Sequence, residues 1–368
     1  MGETMIYIVS FMLSIFFAAI AQKEYKQKKI IGDIFSVLAI LVPSILAGFR
    51  TTDIGIDIDV YVKSNFIEAQ YYSSFFEFAT KIDTDILYLA LNFIVSRFTT
   101  NINVLLFIIQ FINMSLVYSY IYTQREKHSM AMMYAIYLFM FYNLSLNLVR
   151  QSLALSIIIF GMKYVNSKKA FKYYITNFFA ILMHSSAVIA LPIYFLANMK
   201  DNKKNKWLKI VIIVGLLISI ILYKNIIILL INLGILPIKY LAYLGIYART
   251  SMNFNYAGSL FCLLWIFIYH SVSKRDTTFN NYRSFFMIIG LVFIQLSNFI
   301  EFADRIAYYY LIPGYILGDK SIQFFFTRSK SNIFISKIIL LCLLLFYWYF
   351  TFVYFNTGET YPYVSIFG

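Results

Sequence analysis

The sequence predicts an all-α, polytopic integral membrane protein, and three observations support that fold class. Hydrophobic residues make up 61% of the 368 residues and charged residues only 13%, whereas a soluble domain carries about 25% charged residues. Runs of Ile, Leu and Phe are long enough to cross a bilayer core of about 30 Å as helices. Most Lys and Arg residues lie in short loops between these runs, as the positive-inside rule predicts for cytoplasmic loops.

The net charge of +14 therefore indicates topology and argues against nucleic acid as a partner. The basic loops contain Lys23, Lys26, Lys28 and Lys29; Arg125 and Lys127; Lys168 and Lys169; Lys200, Lys203, Lys204 and Lys206; Lys274 and Arg275; and Arg328 and Lys330. With these loops inside, both termini are predicted to lie outside.

The apolar segments predict about 12 transmembrane helices. The predicted spans are Met5–Ala21, Ile30–Gly48, Ile102–Tyr122, Ser129–Leu146, Gln151–Val165, two short arms within Phe171–Met199, Trp207–Tyr223, Ala257–His270, Phe285–Ile300, Ala303–Phe324 and Ile333–Phe352. An extracytoplasmic loop at about residues 50–85 follows the second helix, Ile86–Phe98 is too short to cross, and residues 224–256 form a second outer region. No repeat at a fixed period is present, so one transmembrane domain covering residues 1–368 is predicted.

The segment Phe171–Met199 predicts a re-entrant or short helical hairpin near His184. Lysines flank the segment on both sides, so both of its ends are expected inside. Two arms of about 13 residues would each rise roughly 20 Å. The turn at His184-Ser185-Ser186 then lies near the outer leaflet.

Four ionisable side chains, Arg50, Arg150, His184 and Arg305, fall at the outer ends of apolar segments. Holding a cation there near lipid costs roughly a few kcal/mol, which predicts an anionic ligand such as a lipid-linked phosphate. An arginine fork grips phosphate oxygens in a bidentate way. The alternatives are an ion pair of Arg50 within its acidic loop, snorkelling of Arg150, and a local pair of Arg305 with Glu301.

Acidic residues follow Arg50 at Asp53, Asp57 and Asp59. Asp57 and Asp59 share a face if the segment is extended, whereas Asp53 and Asp57 share one if it is helical. Asp57-Ile58-Asp59 resembles the two-acid metal motif of nucleotide-sugar enzymes. Because nucleotide sugars are not available outside the cell, no metal is predicted at these acids. No cofactor is predicted either. Either Asp57 or His184 is a candidate general base; the alternative for His184 is a hydrogen bond to a carbonyl of a neighbouring helix.

Further candidates for substrate binding lie near these residues. Asn147 and Gln151 flank Arg150, where the start of a helix offers free backbone N–H groups to an anion. Tyrosine rings suit the C–H edges of sugars and equally suit an interfacial belt. The tyrosines considered are Tyr61, Tyr310, Tyr361 and Tyr363.

The order of these motifs resembles the EpsG family of Wzy-type O-antigen, capsule and exopolysaccharide polymerases. The motifs are Gly48-x-Arg50, Gly55-x-Asp57-x-x-x-Tyr61, Asn147-x-x-Arg150-Gln151-x-x-Ala154, Ala180-x-x-x-His184-x-Ser186-Ala187, Arg305 with the tyrosines before Pro313, and Tyr361-Pro362-Tyr363. The resemblance covers almost the whole chain. Two features depart from the family pattern: the extra acids Asp53 and Asp59, and Ile56 where threonine is frequent.

The resemblance implies a glycosyltransferase that joins repeat units at the outer face of the bacterial cytoplasmic membrane. An undecaprenyl-pyrophosphate-linked chain is the implied donor, and a lipid-linked repeat unit is the implied acceptor. Membrane lipid surrounds both. Whether a chain-length regulator protein is also a partner is left open by the sequence. Arg50, Arg150 and Arg305 would stabilise the leaving pyrophosphate. Tyr61, Tyr310 and Tyr361 would help to hold the saccharides.

Three alternatives share many of these features. A transporter (flippase) of lipid-linked oligosaccharide would also have about 12 spans, but repeats and polar residues on both sides are typical of that class. A membrane O-acyltransferase would need His184 to face inward, towards its cytoplasmic acyl donor. A glycan ligase would differ only in its acceptor.

Overall fold

The computed structural model describes residues 2–200, 202–235, 238, 256–273, 282–297, 303–320 and 333–367. Most of them are helical, and within these ranges the only β-type pairing is an isolated bridge between Arg50 and Ser365. The predicted all-α fold class is confirmed for the described part of the chain.

The chain forms two compact units: unit 1 comprises Met1–Leu191 and Ile316–Gly368, and unit 2 comprises Pro192–Tyr315. The helices are α1 Gly2–Glu24, α2 Lys29–Gly48, α3 Lys63–Tyr71, α4 Phe75–Lys81, α5 Ile86–Ser96, α6 Ile102–Thr123, α7 Met130–Asn147, α8 Val149–Asn166 and α9 Ala170–Met183 in unit 1; α10 Ile193–Ala197, α11 Lys203–Asn232, α12 Tyr256–Ser273, α13 Tyr282–Leu296 and α14 Ala303–Tyr315 in unit 2; and α15 Ile333–Trp348 in unit 1. The single transmembrane domain over residues 1–368 stays a prediction.

Among the described residues, four helices are long and apolar enough to cross a membrane: Thr4–Glu24, Lys29–Gly48, Ile102–Thr123 and Phe334–Tyr354. Several shorter apolar helices accompany them, and the total of about 12 spans stays a prediction. As predicted, α5 is short, with 11 residues.

Helix α7 is the centre of unit 1, because all of its 18 residues are buried. It contacts α1, α6, α8 and α15. A helix that is apolar all round is expected in such a central position. Its few polar side chains are satisfied internally: Ser145 bonds Gln110 of α6 at 3.0 Å, and Asn143 accepts from Trp348 of α15 at 2.8 Å.

The ends of the helices of unit 1 lie in two groups, one at each end of the unit. At the end that we call the site end, the Asn103 side chain donates to the backbone oxygens of Gly48 and Arg50, at 2.8 and 2.7 Å. At the opposite, basic end, Gln22 donates to the carbonyls of Arg125 and His128. The basic loops that the sequence assigns to one side of the membrane, at residues 23–29, 125–128 and 166–169, lie at this end.

The predicted outer loop at residues 50–85 contains helices. A π-helical turn at Ile58–Val62 continues into α3, and α4 follows. These elements form because they bury an apolar cluster of Ala69, Phe78 and Leu89. The extended arrangement, in which Asp57 and Asp59 would share a face, is therefore wrong.

Two predicted span boundaries also differ. Helix α11 continues to Asn232 instead of ending at Tyr223, because Ile226–Leu230 extends the apolar run; residues 236, 237 and 239–255 of the second outer region lie outside the described residues. Helix α14 ends at Tyr315 instead of Phe324. Pro313 and Gly314 are poor helix formers near its end, and residues 321–324 lie outside the described residues.

The chain reverses at His184, as the hairpin prediction requires. Helix α9 ends at Met183, His184 is extended with φ −159° and ψ 120°, and a 3-10 helix covers Ser185–Ala190. The Tyr173 hydroxyl donates to Ala190 O at 2.6 Å, so the returning segment packs against α9.

Candidate functional site

Asp85 joins two of the predicted site residues at the site end of unit 1. Its Oδ2 lies 3.0 Å from Arg150 Nη1 and 3.1 Å from His184 Nδ1. Its Oδ1 accepts the backbone N–H of Ser185 at 3.0 Å. Asp85 directly precedes α5, Arg150 is the second residue of α8 and His184 directly follows α9, so three elements meet at one carboxylate.

His184 is oriented by a contact between its Nδ1 and Asp85, which leaves its other ring nitrogen, Nε2, available. Its backbone N–H donates to Ala180 O at 2.9 Å, and the extended residue turns the side chain towards Asp85. Within the described residues, Nε2 makes no hydrogen bond. A side chain that is 24% exposed and oriented through Nδ1 is placed to accept a proton at Nε2.

Arg150 is held by an aromatic ring as well as by the carboxylate. Its guanidinium lies 4.4 Å from the centroid of the Tyr61 ring, and Nη1 also donates to the Thr84 hydroxyl. The Tyr61 hydroxyl donates to Asp57 Oδ2 at 2.7 Å. Arg150 is thereby positioned by Asp85 directly and linked to Asp57 through Tyr61.

The backbone around Gly55 places Asp57. Gly55 has φ +94°, and a Cβ there would lie 2.6 Å from Leu146 O, so the position requires glycine. Its N–H donates to Glu359 O at 2.9 Å. Two residues later, the Asp57 N–H donates to Asn147 Oδ1 at 3.1 Å. Asn147 is therefore a structural partner of the Asp57 loop.

Arg50 is a buried cation beneath the C-terminal segment. Its side chain is 2% exposed, and in the described part of the chain Nε and Nη1 have no hydrogen-bond partner. Burial lowers the pKa of Arg50 to about 10, with Tyr142, Tyr7 and Tyr363 acting in the opposite direction. The guanidinium is thus charged at neutral pH, in a place where an unpaired charge is costly.

The C-terminal segment covers Arg50 by pairing with the chain around it. Thr51 N–H donates to Val364 O, and Ile366 N–H donates to Phe49 O, both at 2.9 Å. Tyr361 and Tyr363 anchor this segment. The Tyr361 hydroxyl bonds Thr4 Oγ1 at 2.8 Å, and the buried Tyr363 donates to Leu46 O at 2.9 Å. Their proposed roles with sugars stay predictions.

The other predicted site residues are more dispersed. Asp53 is exposed and Gln151 is buried in α8. Arg305 and Tyr310 belong to α14 of unit 2, so their participation with the residues of unit 1 stays a prediction. Glu301 lies outside the described residues. In the ranges that the structure describes, no group of three His, Cys, Asp or Glu side chains could hold a metal ion.

The electrostatics favour an ionised Asp85. Burial raises the pKa of its carboxyl, but the hydrogen bond and charge of His184, the charge of Arg150 and the Ser185 N–H together hold it below the usual 3.8. Burial, then the charge of Asp57, raises the pKa of Tyr61, which stays a neutral donor. The cluster therefore offers a fixed carboxylate, an oriented imidazole and a cation.

Asp85 was not among the residues that the sequence singled out. It is separated from Arg150 by 65 positions and from His184 by 99. Its one local signal was an acid directly before the apolar run of α5, which is typical of a helix cap.

The helical fold, the apolar spans and the ionisable cluster at one end of unit 1 define a multi-pass membrane protein. The chain matches the EpsG family over residues 33–365, nearly its whole length, and it belongs to that family. The resemblance in the sequence is thereby confirmed. Membership indicates a polymerase-type enzyme of polysaccharide biosynthesis. No curated protein and no solved structure matches the chain.

Proposed function

We propose that the protein polymerises undecaprenyl-pyrophosphate-linked oligosaccharide repeat units into an O-antigen, capsule or exopolysaccharide at the outer face of the bacterial cytoplasmic membrane. The observation that carries the proposal is the contact of one carboxylate, Asp85, with both an imidazole and a guanidinium, at 3.1 and 3.0 Å. Both groups lower the barrier to glycosyl transfer from a pyrophosphate: a base takes the proton of the acceptor hydroxyl, and a cation stabilises the charge on the leaving group.

In the proposed reaction, the acceptor hydroxyl oxygen attacks the anomeric carbon of the donor. Its proton passes to His184 Nε2, while Asp85 stabilises the imidazolium that forms. The bond between the anomeric carbon and the pyrophosphate oxygen breaks, and the electron pair leaves with the pyrophosphate. Asp57 is less suited to act as the base because its Oδ2 already accepts the Tyr61 hydroxyl.

Two cations of unit 1 suit the pyrophosphate. Arg150 keeps part of its guanidinium accessible, with 24% of the side chain exposed. Arg50 carries buried N–H groups without a partner among the described residues, and a phosphate oxygen would satisfy them. Arg305 is a further candidate from unit 2, and pyrophosphate, as a good leaving group, needs no metal.

The test is polymer formation in a host that lacks its own polymerase. We expect Asp85→Asn, His184→Ala and Arg150→Ala each to abolish the ladder of surface glycan on a gel, while single repeat units still reach the surface. Glu77→Gln is the matched control, because it removes an exposed carboxylate from the same segment without touching the cluster. Membrane expression is measured for every variant.

Two results would contradict the proposal. An unchanged ladder in all three variants would make the cluster structural. Loss of the single repeat units as well would favour a transporter of lipid-linked oligosaccharide. Arg305→Ala, tested in parallel, reports separately on unit 2.

A further inference from the structure

The basic end of unit 1 contains an open pocket of about 530 Å³. This volume is within the range of about 300–1,000 Å³ that is typical of small-molecule sites. We call it the basic pocket. It is lined by Gln22, Lys26, Arg125, Glu126, Lys127, His128, Ser129, Met132, Asp319, Lys320, Ser336, Lys337 and Leu340. None of these residues belongs to the site around Asp85.

A buried contact between a carboxylate and an imidazole fixes one wall of the basic pocket. Asp319 is 9% exposed; its Oδ1 lies 2.6 Å from His128 Nδ1, and its Oδ2 accepts the Ser129 N–H at 2.9 Å. The Gln22 side chain donates to His128 O at 2.8 Å and accepts from Met130 N at 2.8 Å. The loop between α6 and α7 is therefore hydrogen-bonded both to α1 and to Asp319. Because these contacts fix its wall, the pocket is preformed.

The acids of the pocket are already engaged. Asp319 uses both of its oxygens within the wall. Glu126 lies 3.4 Å from the Nε of Arg125, whose guanidinium stacks 4.0 Å from the centroid of Tyr122. Among the described residues, these contacts leave the lysines of the pocket without a carboxylate partner.

Four lysine side chains supply positive charge to the pocket. In the ranges that the structure describes, none of the four makes an ion pair. They come from four separate parts of the chain: Lys26, Lys127, Lys320 and Lys337. Flexible ammonium groups arranged around one cavity are suited to phosphate, which each can contact as a point charge.

We propose that the basic pocket binds a phosphate-bearing anion at the end of unit 1 opposite to the Asp85 cluster. The phosphate can belong to a soluble polyphosphate compound or to the headgroup of an anionic lipid, since both offer the same oxygens to the lysines. Binding of an anion in the basic pocket does not depend on the proposed glycosyl transfer or on its substrates. The proposal is therefore independent of the proposed function.

The chain supplies a matched control for the charge of this end. Lys169 and Lys172 are also exposed at the basic end, at the start of α9, but do not line the pocket. One double variant combines Lys127→Gln with Lys337→Gln, and the other combines Lys169→Gln with Lys172→Gln. Both remove the same amount of positive charge. Only the first pair changes the basic pocket.

The experiment uses the full chain in lipid nanodiscs. Inorganic pyrophosphate is titrated calorimetrically in phosphatidylcholine nanodiscs, which tests a soluble source. Retention of phosphatidylglycerol by native mass spectrometry, after reconstitution with mixed lipids, tests a headgroup source. We expect the Lys127/Lys337 pair to weaken binding of at least one probe by about ten-fold, with the thermal midpoint unchanged, and the Lys169/Lys172 pair to retain it. An Arg150→Gln variant should retain the binding that the Lys127/Lys337 pair weakens. This result distinguishes anion binding in the basic pocket from pyrophosphate binding at the site end.

Binding of pyrophosphate would identify a soluble ligand, and retention of phosphatidylglycerol alone would identify a lipid headgroup. Equal weakening by both lysine pairs would overturn the proposal, because the effect would then come from the general charge of this end. Absence of binding by both probes to the unmodified chain would also overturn it.

Discussion

At the scale of single residues, Arg50 and Asp85 show two ways of holding a charge. Asp85 is satisfied on both oxygens, by Arg150, His184 and the Ser185 N–H. Arg50 is buried with Nε and Nη1 unbonded within the described chain. Removing one partner of a satisfied buried charge is strongly destabilising, whereas a buried charge that has no partner is itself costly unless a ligand completes it.

This contrast predicts that Arg50→Met separates stability from activity. Replacing the unbonded guanidinium by an apolar side chain should leave the thermal midpoint in detergent unchanged or raise it, while glycan polymerisation is lost. Arg97→Met is the control, because Arg97 donates to Tyr72 O at 2.8 Å and its loss should lower the midpoint. A large fall in the midpoint of Arg50→Met would mean that Arg50 is a structural cation.

The pKa of Asp85 predicts how stability depends on pH. Its folded pKa is below 3.8, so its interactions contribute stability above the unfolded value of about 3.9 and lose it as the pH falls through the lower folded value. The difference in thermal midpoint between the unmodified chain and Asp85→Asn should shrink as the pH falls from about 5 to below about 4, where Asp85 takes up its proton. A difference that grows over this acidic range would contradict the assignment.

At the scale of elements, the loop after α2 depends on one glycine. Gly55 combines a positive φ with a position where a Cβ would meet Leu146 O at 2.6 Å. Gly55→Ala should destabilise the fold by more than about 1 kcal/mol and displace Asp57. The measurement is the thermal midpoint together with the glycan ladder. Gly215→Ala is the control, since a Cβ there meets nothing within 4 Å, and it should be neutral or stabilising.

The helices were predictable from the sequence to a greater extent than the contacts between them. Apolar runs and polar breaks located α2, α6, α7 and α8 to within a few residues, because hydrophobic periodicity is local information. The helices inside residues 50–85 were missed, because their formation depends on packing between α3, α4 and α5. Asp85 was missed for the same reason: its partners are distant along the chain, and only the tertiary fold brings them together.

At the scale of the whole molecule, unit 1 has ionisable groups of different character at its two ends. One end carries Arg50, Asp85, Arg150 and His184, and the other carries the lysine-rich loops and the basic pocket. The positive-inside rule predicts that the lysine-rich end is cytoplasmic. The Asp85 cluster would then face outward, where the proposed lipid-linked substrate would be used.

This orientation predicts the accessibility of cysteines introduced at each end. In a variant whose Cys262 and Cys342 are replaced by alanine, Lys63→Cys at the start of α3 should react with a membrane-impermeant maleimide in intact cells. Lys169→Cys, at the other end, should react only after permeabilisation. Both residues are exposed, so access to the reagent depends on the side of the membrane. The reverse pattern would contradict the outward orientation of the cluster.

The pairing of the C-terminal segment with the chain around Arg50 has a consequence for biosynthesis. Thr51 and Gly55 are made long before Val364 and Glu359, whose carbonyl oxygens accept their backbone N–H groups. Such distant contacts form only after the intervening chain is available. The site end is therefore completed only after residue 364 has been made, and a chain that stops before Glu359 would lack the cover over Arg50 while containing most of the described helices.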